Sequence, residues 1–358
     1  MIKAIRDTRL GNELLGEVVA ALRGGYIPDR WRDMRVVLIP KPGRDLTQTK
    51  NWRTLNLINS IGKLGEKVVP DRIQEEGGSI LHHQQYGLVL GCSAVEVLYK
   101  SVVKASQCLE HRGSVGLAFW DVQEGFQNVR SVEVLNRIRG CGPLRCWLSW
   151  LERFMSPREF EVKWDGSVRG RGAATKGVPQ GSPLSPVLFL VFMAPILEEM
   201  EREVKEEVGS VNVHFPSYVD DLHCGLYDKR AAGEEETERE RMQDLRARMQ
   251  RVVTEVAAER RLPLAADKEE SMVLRGGCGR KKRRKNGLAE EVKWLGVILD
   301  DRLDFKEHWR HRIGKAPSLL GALGGVGNSR WRMGPVSWRA AYAGMVRAVA
   351  SWGVEIGL

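Results

Sequence analysis

Residues 211 to 226 read VNVHFPSYVDDLHCGL, two alternating arms around a pair of acids. Val213, Phe215 and Val219 alternate before the pair, and Leu222, Cys224 and Leu226 alternate after it, so two strands are expected to flank Asp220 and Asp221. Neighbouring side chains of a straight strand point to opposite faces, so both acids can serve one site only if they sit at the turn. Two carboxylates at a hairpin tip are electrostatically costly unless cations neutralise them. Hard divalent ions with oxygen ligands, chiefly Mg²⁺, suit that task.

A third acid lies upstream. The run SVGLAFW, residues 114 to 120, is apolar without alternation, as expected of a strand buried on both faces, and Asp121 closes it. If this strand lies beside the hairpin, Asp121, Asp220 and Asp221 can hold two metal ions. Such a pair activates an attacking oxygen and stabilises the leaving one in phosphoryl transfer.

The surroundings alternate helices with short strands. A helix is expected from Met1 to about Gly25, with Ile5, Leu10, Leu14, Leu15, Val18, Val19 and Leu22 at helical spacing and Gly24-Gly25 ending it. MRVVLIPKPG (34–43) suggests a strand entering a turn. Residues 61–76 and 93–110 suggest helices, the first with an apolar face of Leu64, Val68 and Ile73. Ser131 can cap a helix through Ile138 on a Val132, Leu135, Ile138 face, and a second helix is expected at about Leu144 to Phe154. A hairpin is expected from Glu159, followed by a Gly-Pro loop. Ser185 and Pro186 suit the start of a long helix to about Glu206, interrupted by Pro195. Residues 233–261 mix both charge signs around Met242, Leu245, Met249, Val252 and Val253, as a surface helix with one buried stripe does.

With 358 residues, the chain is long enough for two or three subdomains. Its net charge of +10 favours a polyanionic partner. The longest apolar run, Pro186 to Leu197, is too short for a membrane span, and the charged N-terminus lacks a signal-peptide core. Six cysteines without a CxxC pair or a histidine at finger spacing argue for free buried thiols in a reducing compartment, nuclear or cytoplasmic, rather than a zinc site. The basic run Gly279 to Lys285 suits a nuclear-import signal, a phosphate-contacting loop or a plain surface loop.

Seven ordered blocks resemble the reverse transcriptase domain of non-LTR (LINE-type) retrotransposons. LIPKPGRD (38–45) with NWRTLNLINSIGKLGEKVVPDRI (51–73) is similar to the fingers signature, and QQYGLVLGCSAVEVL (84–98) to the next block. DVQEGFQNV (121–129), GVPQGSPLSPVLFLVFMAPIL (177–197) and YVDD (218–221) resemble the first three catalytic motifs. LAADKEESMVL (264–274) resembles the fourth, and KWLGVILDDRLDFKEHW (293–309) the transition from palm to thumb.

The resemblance implies an α+β right-hand polymerase: fingers over 1–113, a palm with a small antiparallel sheet over 114–302, and a partial helical thumb over 303–358. It implies RNA-directed DNA polymerase activity on an RNA template, a DNA primer and dNTPs. Asp121, Asp220 and Asp221 would hold two Mg²⁺ ions, with Mn²⁺ as a possible substitute, and Lys268 would protonate the leaving pyrophosphate. Lys41 and Arg53 match fingers residues that grip the triphosphate, a task suited to a point charge and a planar fork. Phe126 matches the aromatic gate under the sugar. Gln180 and Gly181 match the loop against the incoming nucleotide, and Trp294, Leu295 and Gly296 the hairpin holding the primer end. An upstream endonuclease and a downstream RNase H domain are expected in the full element, outside this chain.

The sequence departs from the family pattern at Glu124-Gly125-Phe126-Gln127, at Leu90-Gly91-Cys92-Ser93, where arginine is common, and at Thr54, where proline is usual. Three other readings stand beside polymerase activity: a catalytically silent relative that binds nucleic acid, a group II intron-type maturase, and a metal-dependent nuclease. The last leaves the Gly-Val-Pro-Gln-Gly-Ser-Pro block without a purpose.

Overall fold

A computed structural model describes residues 8–43, 45–77, 80–164, 167–229, 235–274, 289, 291–327 and 335–353. In chain order the strands are β1 (Met34–Pro40), β2 (Trp52–Ile58), β3 (Ser114–Asp121), β4 (Arg158–Trp164), β5 (Ser167–Ala174) and β6 (Asn212–His214). They continue with β7 (Ser217–Tyr218), β8 (Asp221–Asp228), β9 (Glu270–Leu274), β10 (Glu291–Trp294) and β11 (Val297–Asp300). The fold is α+β, with two compact units interleaved along the chain. One comprises Met1–Leu90, Val122–Glu199 and Ala257–Pro263; the other comprises Gly91–Asp121, Met200–Val256 and Leu264–Leu358.

The first unit is built on a sheet of order β2-β1-β4-β5, in which β1 runs antiparallel to β2 and parallel to β4. The helix Arg9–Gly24 starts where the Thr8 hydroxyl accepts the Gly11 N–H and ends at Gly25, whose φ of 66° is the left-handed cap that glycine allows. Residues 1–7 of the expected helix lie outside the described residues. In the helix Gly62–Glu76 the apolar face differs from expectation: Glu66, Val69 and Ile73 are buried and Val68 is exposed. The reason is glycine. Gly62 packs against Trp31, and Gly65 against Val18, Leu22 and Trp150, so the helix turns its bare face inward. In the helix Ser131–Gly140, Val134 and Ile138 form the buried i, i+4 pair, while Val132 faces solvent. The segment expected as one helix from Leu144 divides into a 3-10 turn, Gly142–Trp147, and a helix, Leu148–Met155.

The helix Ser185–Val208 is buried on every side from Val187 to Ala194, which explains an apolar run without helical periodicity. Among the described residues, no helix is long and apolar enough to cross a membrane.

The second unit carries an antiparallel sheet of order β6-β8-β3-β9, with β7 paired to β8. Val115 through Trp120 of the central strand β3 are buried, as its unbroken apolar run requires. The helix Ala94–Glu110 packs on β3 and β8. The helix Glu235–Glu259 buries the expected stripe of Met242, Leu245, Met249, Val252 and Val253. Met242 comes so near Gly116 that a Cβ there would lie 2.8 Å from its sulfur. The hairpin β10–β11 and the helices Lys306–Gly327, Pro335–Ala341 and Ala348–Ser351 complete the unit.

The described cysteines are free, but only Cys108 and Cys224 are buried; Cys146 is exposed, and Cys92 and Cys141 are half-buried. Burial therefore follows the apolar faces of the strand and helix that carry them rather than residue type. Cys278 and the basic run Gly279 to Lys285 lie outside the described residues.

Candidate active site

The strand register brings the acids together. Asp121, the last residue of β3, pairs directly with Asp221, the first residue of β8. Facing residues of an antiparallel pair have Cβ atoms about 4.5–5.5 Å apart. Tyr218 also pairs with Asp221, leaving Val219 and Asp220 as the two central residues of a tight hairpin. Val219 takes φ 60°, a conformation β-branched residues rarely adopt. The strained turn places Asp220 at the tip rather than on the opposite face of a straight strand. Both acids of the pair therefore stand at the end of β3.

Electrostatics shows what this clustering does. Burial, then the neighbouring Asp220 and Asp121, push the Asp221 carboxyl up to about 6. Burial is also the largest cause raising Asp220, with Asp121 adding to it. Among the described residues the Lys268 ammonium answers them: it donates to Asp121 Oδ2, and this bond raises the lysine's own pKa. The contact has a backbone counterpart, since Ala265 N–H donates to the Asp121 carbonyl at 2.9 Å, and Lys268 N–H to the Ala265 carbonyl at 2.9 Å. Asp121 thus anchors the loop that presents Lys268. Three carboxylates against one lysine make an oxygen-rich, electron-rich set that fits hard divalent cations.

On the same unit, Trp294 is buried and packs at a tilt against His223 (4.6 Å between ring centres) and Phe119 (5.6 Å), which lie on the paired strands β8 and β3. Leu295 and Gly296 form the two-residue turn between β10 and β11.

The other unit carries the remaining expected residues. Ile39 pairs with Arg53, and the ladder extends past the strand end through Lys41 N–H to the Asn51 carbonyl (2.9 Å), so Lys41 and Arg53 sit at one end of the β1–β2 pair. Arg53 is exposed. Farther along β2, Asn56 N–H donates to the Gln180 carbonyl at 2.8 Å, docking the Gly-Pro loop on the strand. The other end of that loop is tied to Phe126: Val178 N–H donates to its carbonyl at 2.8 Å. The Phe126 ring is half-buried and leans on Phe189 at 5.5 Å. Gly125, one of the departures noted above, makes that possible, since a Cβ there would lie 2.7 Å from the Phe189 ring.

One polar group went unrecognised in the sequence. Glu66 is buried, accepts the Ser182 hydroxyl at 2.6 Å, and is raised chiefly by burial. Arg158 is its counter-charge; burial first, against the opposing pull of Glu66, lowers the guanidinium to about 10. Ser182 closes the Gly-Pro loop through Leu184 N–H, which donates to its hydroxyl at 3.1 Å. The available signal was an acid in register with Val69 and Ile73, at i+3 and i+7 of a helical face.

Residues 39–299 match the model of the reverse transcriptase (RNA-dependent DNA polymerase) family. This chain belongs to that family. Among curated relatives of this reverse transcriptase chain, a probable RNA-directed DNA polymerase from transposon BS of Drosophila melanogaster is 23% identical over 94% of the chain and 37% of its own length. The RNA-directed DNA polymerase from mobile element jockey of Drosophila funebris is 27% identical over 84% of the chain and 33% of its own length. A Pol polyprotein from the type-1 retrotransposable element R1 of Bradysia coprophila is 23% identical over 92% and 32%. The chain spans about a third of the length of these relatives, and the resemblance to non-LTR retrotransposon reverse transcriptases holds over most of it. Among solved structures, apo telomerase from Candida tropicalis matches with a TM-score of 0.50 and 11% identity, over 82% of this chain and 52% of that one. That likeness supports the right-hand polymerase fold.

Proposed function

We propose that this chain is the polymerase core of a non-LTR element, an RNA-directed DNA polymerase that extends a DNA primer on an RNA template with dNTPs. The observation that carries the reading is the pairing of Asp121 with Asp221, with Asp220 at the adjoining hairpin tip, in a chain matched to the reverse transcriptase family over 39–299.

Asp121, Asp220 and Asp221 are proposed as ligands of two Mg²⁺ ions, replaceable by Mn²⁺. When bound, these ions would neutralise the carboxylates and activate the primer hydroxyl. Lys268, held on Asp121, is the proton donor to the departing pyrophosphate, and its raised pKa keeps it charged. Lys41 and Arg53 grip the triphosphate; Phe126 lies under the sugar; Gln180 and Gly181 lie against the nucleotide; Trp294, Leu295 and Gly296 hold the primer end. Fingers over 1–113, palm over 114–302 and thumb over 303–358 are the corresponding divisions. In the whole element, an endonuclease and an RNase H domain would act beside this core, in the nucleus or cytoplasm.

Extension of a labelled DNA primer on an RNA template by the purified chain, with Mg²⁺ and with a chelator, tests the reading. Templated, metal-dependent extension is expected. Tight template binding without extension would favour the silent, nucleic-acid-binding relative instead.

A further inference from the structure

The Leu295–Gly296 turn is held from outside its own hairpin. Both residues have positive φ, 47° and 82°, as a type I′ hairpin turn requires, and leucine takes that conformation reluctantly. Each of the two carbonyls has a dedicated donor. Trp352 Nε1–H donates to the Leu295 carbonyl at 3.2 Å, and an Arg312 Nη2–H to the Gly296 carbonyl. The absent side chain of Gly296 gives them room: a Cβ there would lie 3.2 Å from Arg312 Nη2 and 3.3 Å from Trp352 Nε1.

His308 ties these donors to the strand beyond the turn. It is fully buried, one helical turn before Arg312 on the helix Lys306–Gly327. Ile298 N–H donates to His308 Nδ1 at 3.2 Å, so Nδ1 accepts and the ring proton sits on Nε2. That Nε2–H donates to the Trp352 carbonyl at 2.9 Å. Gly353, with φ 83°, lets the chain approach, since a Cβ there would lie 2.9 Å from His308 Nε2. Two helical segments thus grip one turn, while Trp294 plants the other side of the hairpin on Phe119 and His223.

We infer that Trp352, Arg312 and His308 are positioning residues that set the primer 3′ end through the Leu295–Gly296 turn. The inference rests on the proposed primer-holding role of residues 294–296. A trans peptide holds its C=O and N–H in opposite directions, so fixing the Leu295 carbonyl on Trp352 also fixes where the Gly296 N–H points. That N–H is directed away from Trp352, as a donor for the primer's phosphate backbone. A turn left to water would let this donor wander.

The test uses the full chain in two arms. Without nucleic acid, amide hydrogen exchange is compared for wild type, Trp352→Phe, Arg312→Met and Arg312→Lys. Trp352→Phe keeps an aromatic side chain but removes the indole N–H together with the five-membered ring, so the amides of Val297 and Ile298 should exchange at least about fivefold faster, the equivalent of losing one hydrogen bond. Amides of β3 and β8 should not change, which reports an intact fold; Arg312→Lys, which retains a donor, should lie nearer wild type than Arg312→Met. In the second arm, a primer ending in 2-aminopurine on an RNA template reports order at the 3′ end. Trp352→Phe should brighten the terminus and raise the KM for primer–template about fivefold, leaving the KM for dNTP unchanged. Unchanged exchange at Val297 and Ile298 would overturn the grip on the turn itself. Faster exchange with an unchanged terminus would overturn the positioning role. A wild-type chain that leaves the terminus as bright as free duplex would refute the primer-holding reading beneath it, and the role with it.

Discussion

Gly181 lies against Asn56 so closely that a Cβ would come within 2.4 Å of the Asn56 carbonyl oxygen, and its φ of 134° is one that L side chains rarely adopt. Both constraints act on the loop that Asn56 N–H fastens through Gln180. Gly181→Ala should therefore lift the loop off β2. The expected cost is about 1–3 kcal/mol of stability from the backbone alone, with a raised KM for dNTP. Denaturant unfolding and steady-state extension measure both; an unchanged KM would separate this loop from nucleotide binding.

Glu66 and Arg158 are buried opposite charges that attract each other behind the same loop, while the guanidinium donates to the Phe154 carbonyl and Glu66 accepts from Ser182. Glu66→Ala removes the attraction that offsets the burial of Arg158 and takes the acceptor from the Ser182 hydroxyl, so it should cost about 1–3 kcal/mol. Glu66→Gln retains an acceptor for the Ser182 hydroxyl and should keep the loop in place while still destabilising the guanidinium. Urea midpoints for the two variants check the order; equal midpoints near wild type would mean that the Phe154 carbonyl suffices for Arg158.

The strands and helices that carry the candidate site were legible because their patterns are local. The alternation around Asp220 and Asp221 reports a hairpin, the unbroken run before Asp121 a buried strand, and the stripe from Met242 to Val253 a one-sided helix. Helix faces set by glycine were misread, since Gly62 and Gly65 contribute nothing to an apolar count yet choose the packed side. Glu66 was missed for a related reason: its partners, Ser182 and Arg158, lie 116 and 92 positions away (182 − 66 and 158 − 66), and no local spacing joins them. The grip of Trp352 and Arg312 on the turn at 295–296 is likewise visible only once the chain is folded.

Phe126 is half-buried on Phe189, with Gly125 making room, so its ring has one packed face. As a gate beneath the sugar it would collide with a 2′-hydroxyl. Phe126→Ala should raise ribonucleotide incorporation relative to deoxynucleotide incorporation even if total rate falls. A core aromatic would instead lower both in parallel, at a cost of up to about 3–5 kcal/mol. Single-nucleotide extension with each sugar gives the ratio that decides.

His308 gives a pH signature. Burial first, and Arg312 to a lesser degree, lower its pKa, while the hydrogen bond to the Trp352 carbonyl opposes the shift. Its Nδ1 accepts the Ile298 N–H, so a second ring proton would break that contact. In the unfolded chain the ring titrates near its ordinary value of about 6.5, so the unfolded state binds the proton first as pH falls. Stability from neutral His308 is therefore full above about 6.5 and declines as pH drops below it towards the lowered folded value. Unfolding free energies of wild type and His308→Asn, measured from pH 7.5 to 5 in steps of about half a unit, should converge on the acid side. A constant difference would show that the ring does not stay neutral in the fold.

The pairing of Asp121 with Asp221 beside Asp220 is the centre of the account, and Asp220→Asn addresses it with minimal change of shape. Duplex affinity comes mainly from lysine and arginine on phosphates, so template–primer binding should stay within about twofold of wild type. Extension in Mg²⁺ should fall by roughly two to three orders of magnitude or more, the scale of removing one preorganised electrostatic contact. The decisive measurement is binding and single-turnover extension on the same Asp220→Asn preparation. Intact binding with lost extension is the predicted result; extension at the wild-type rate, or a parallel loss of both, would contradict a metal-holding carboxylate at this tip.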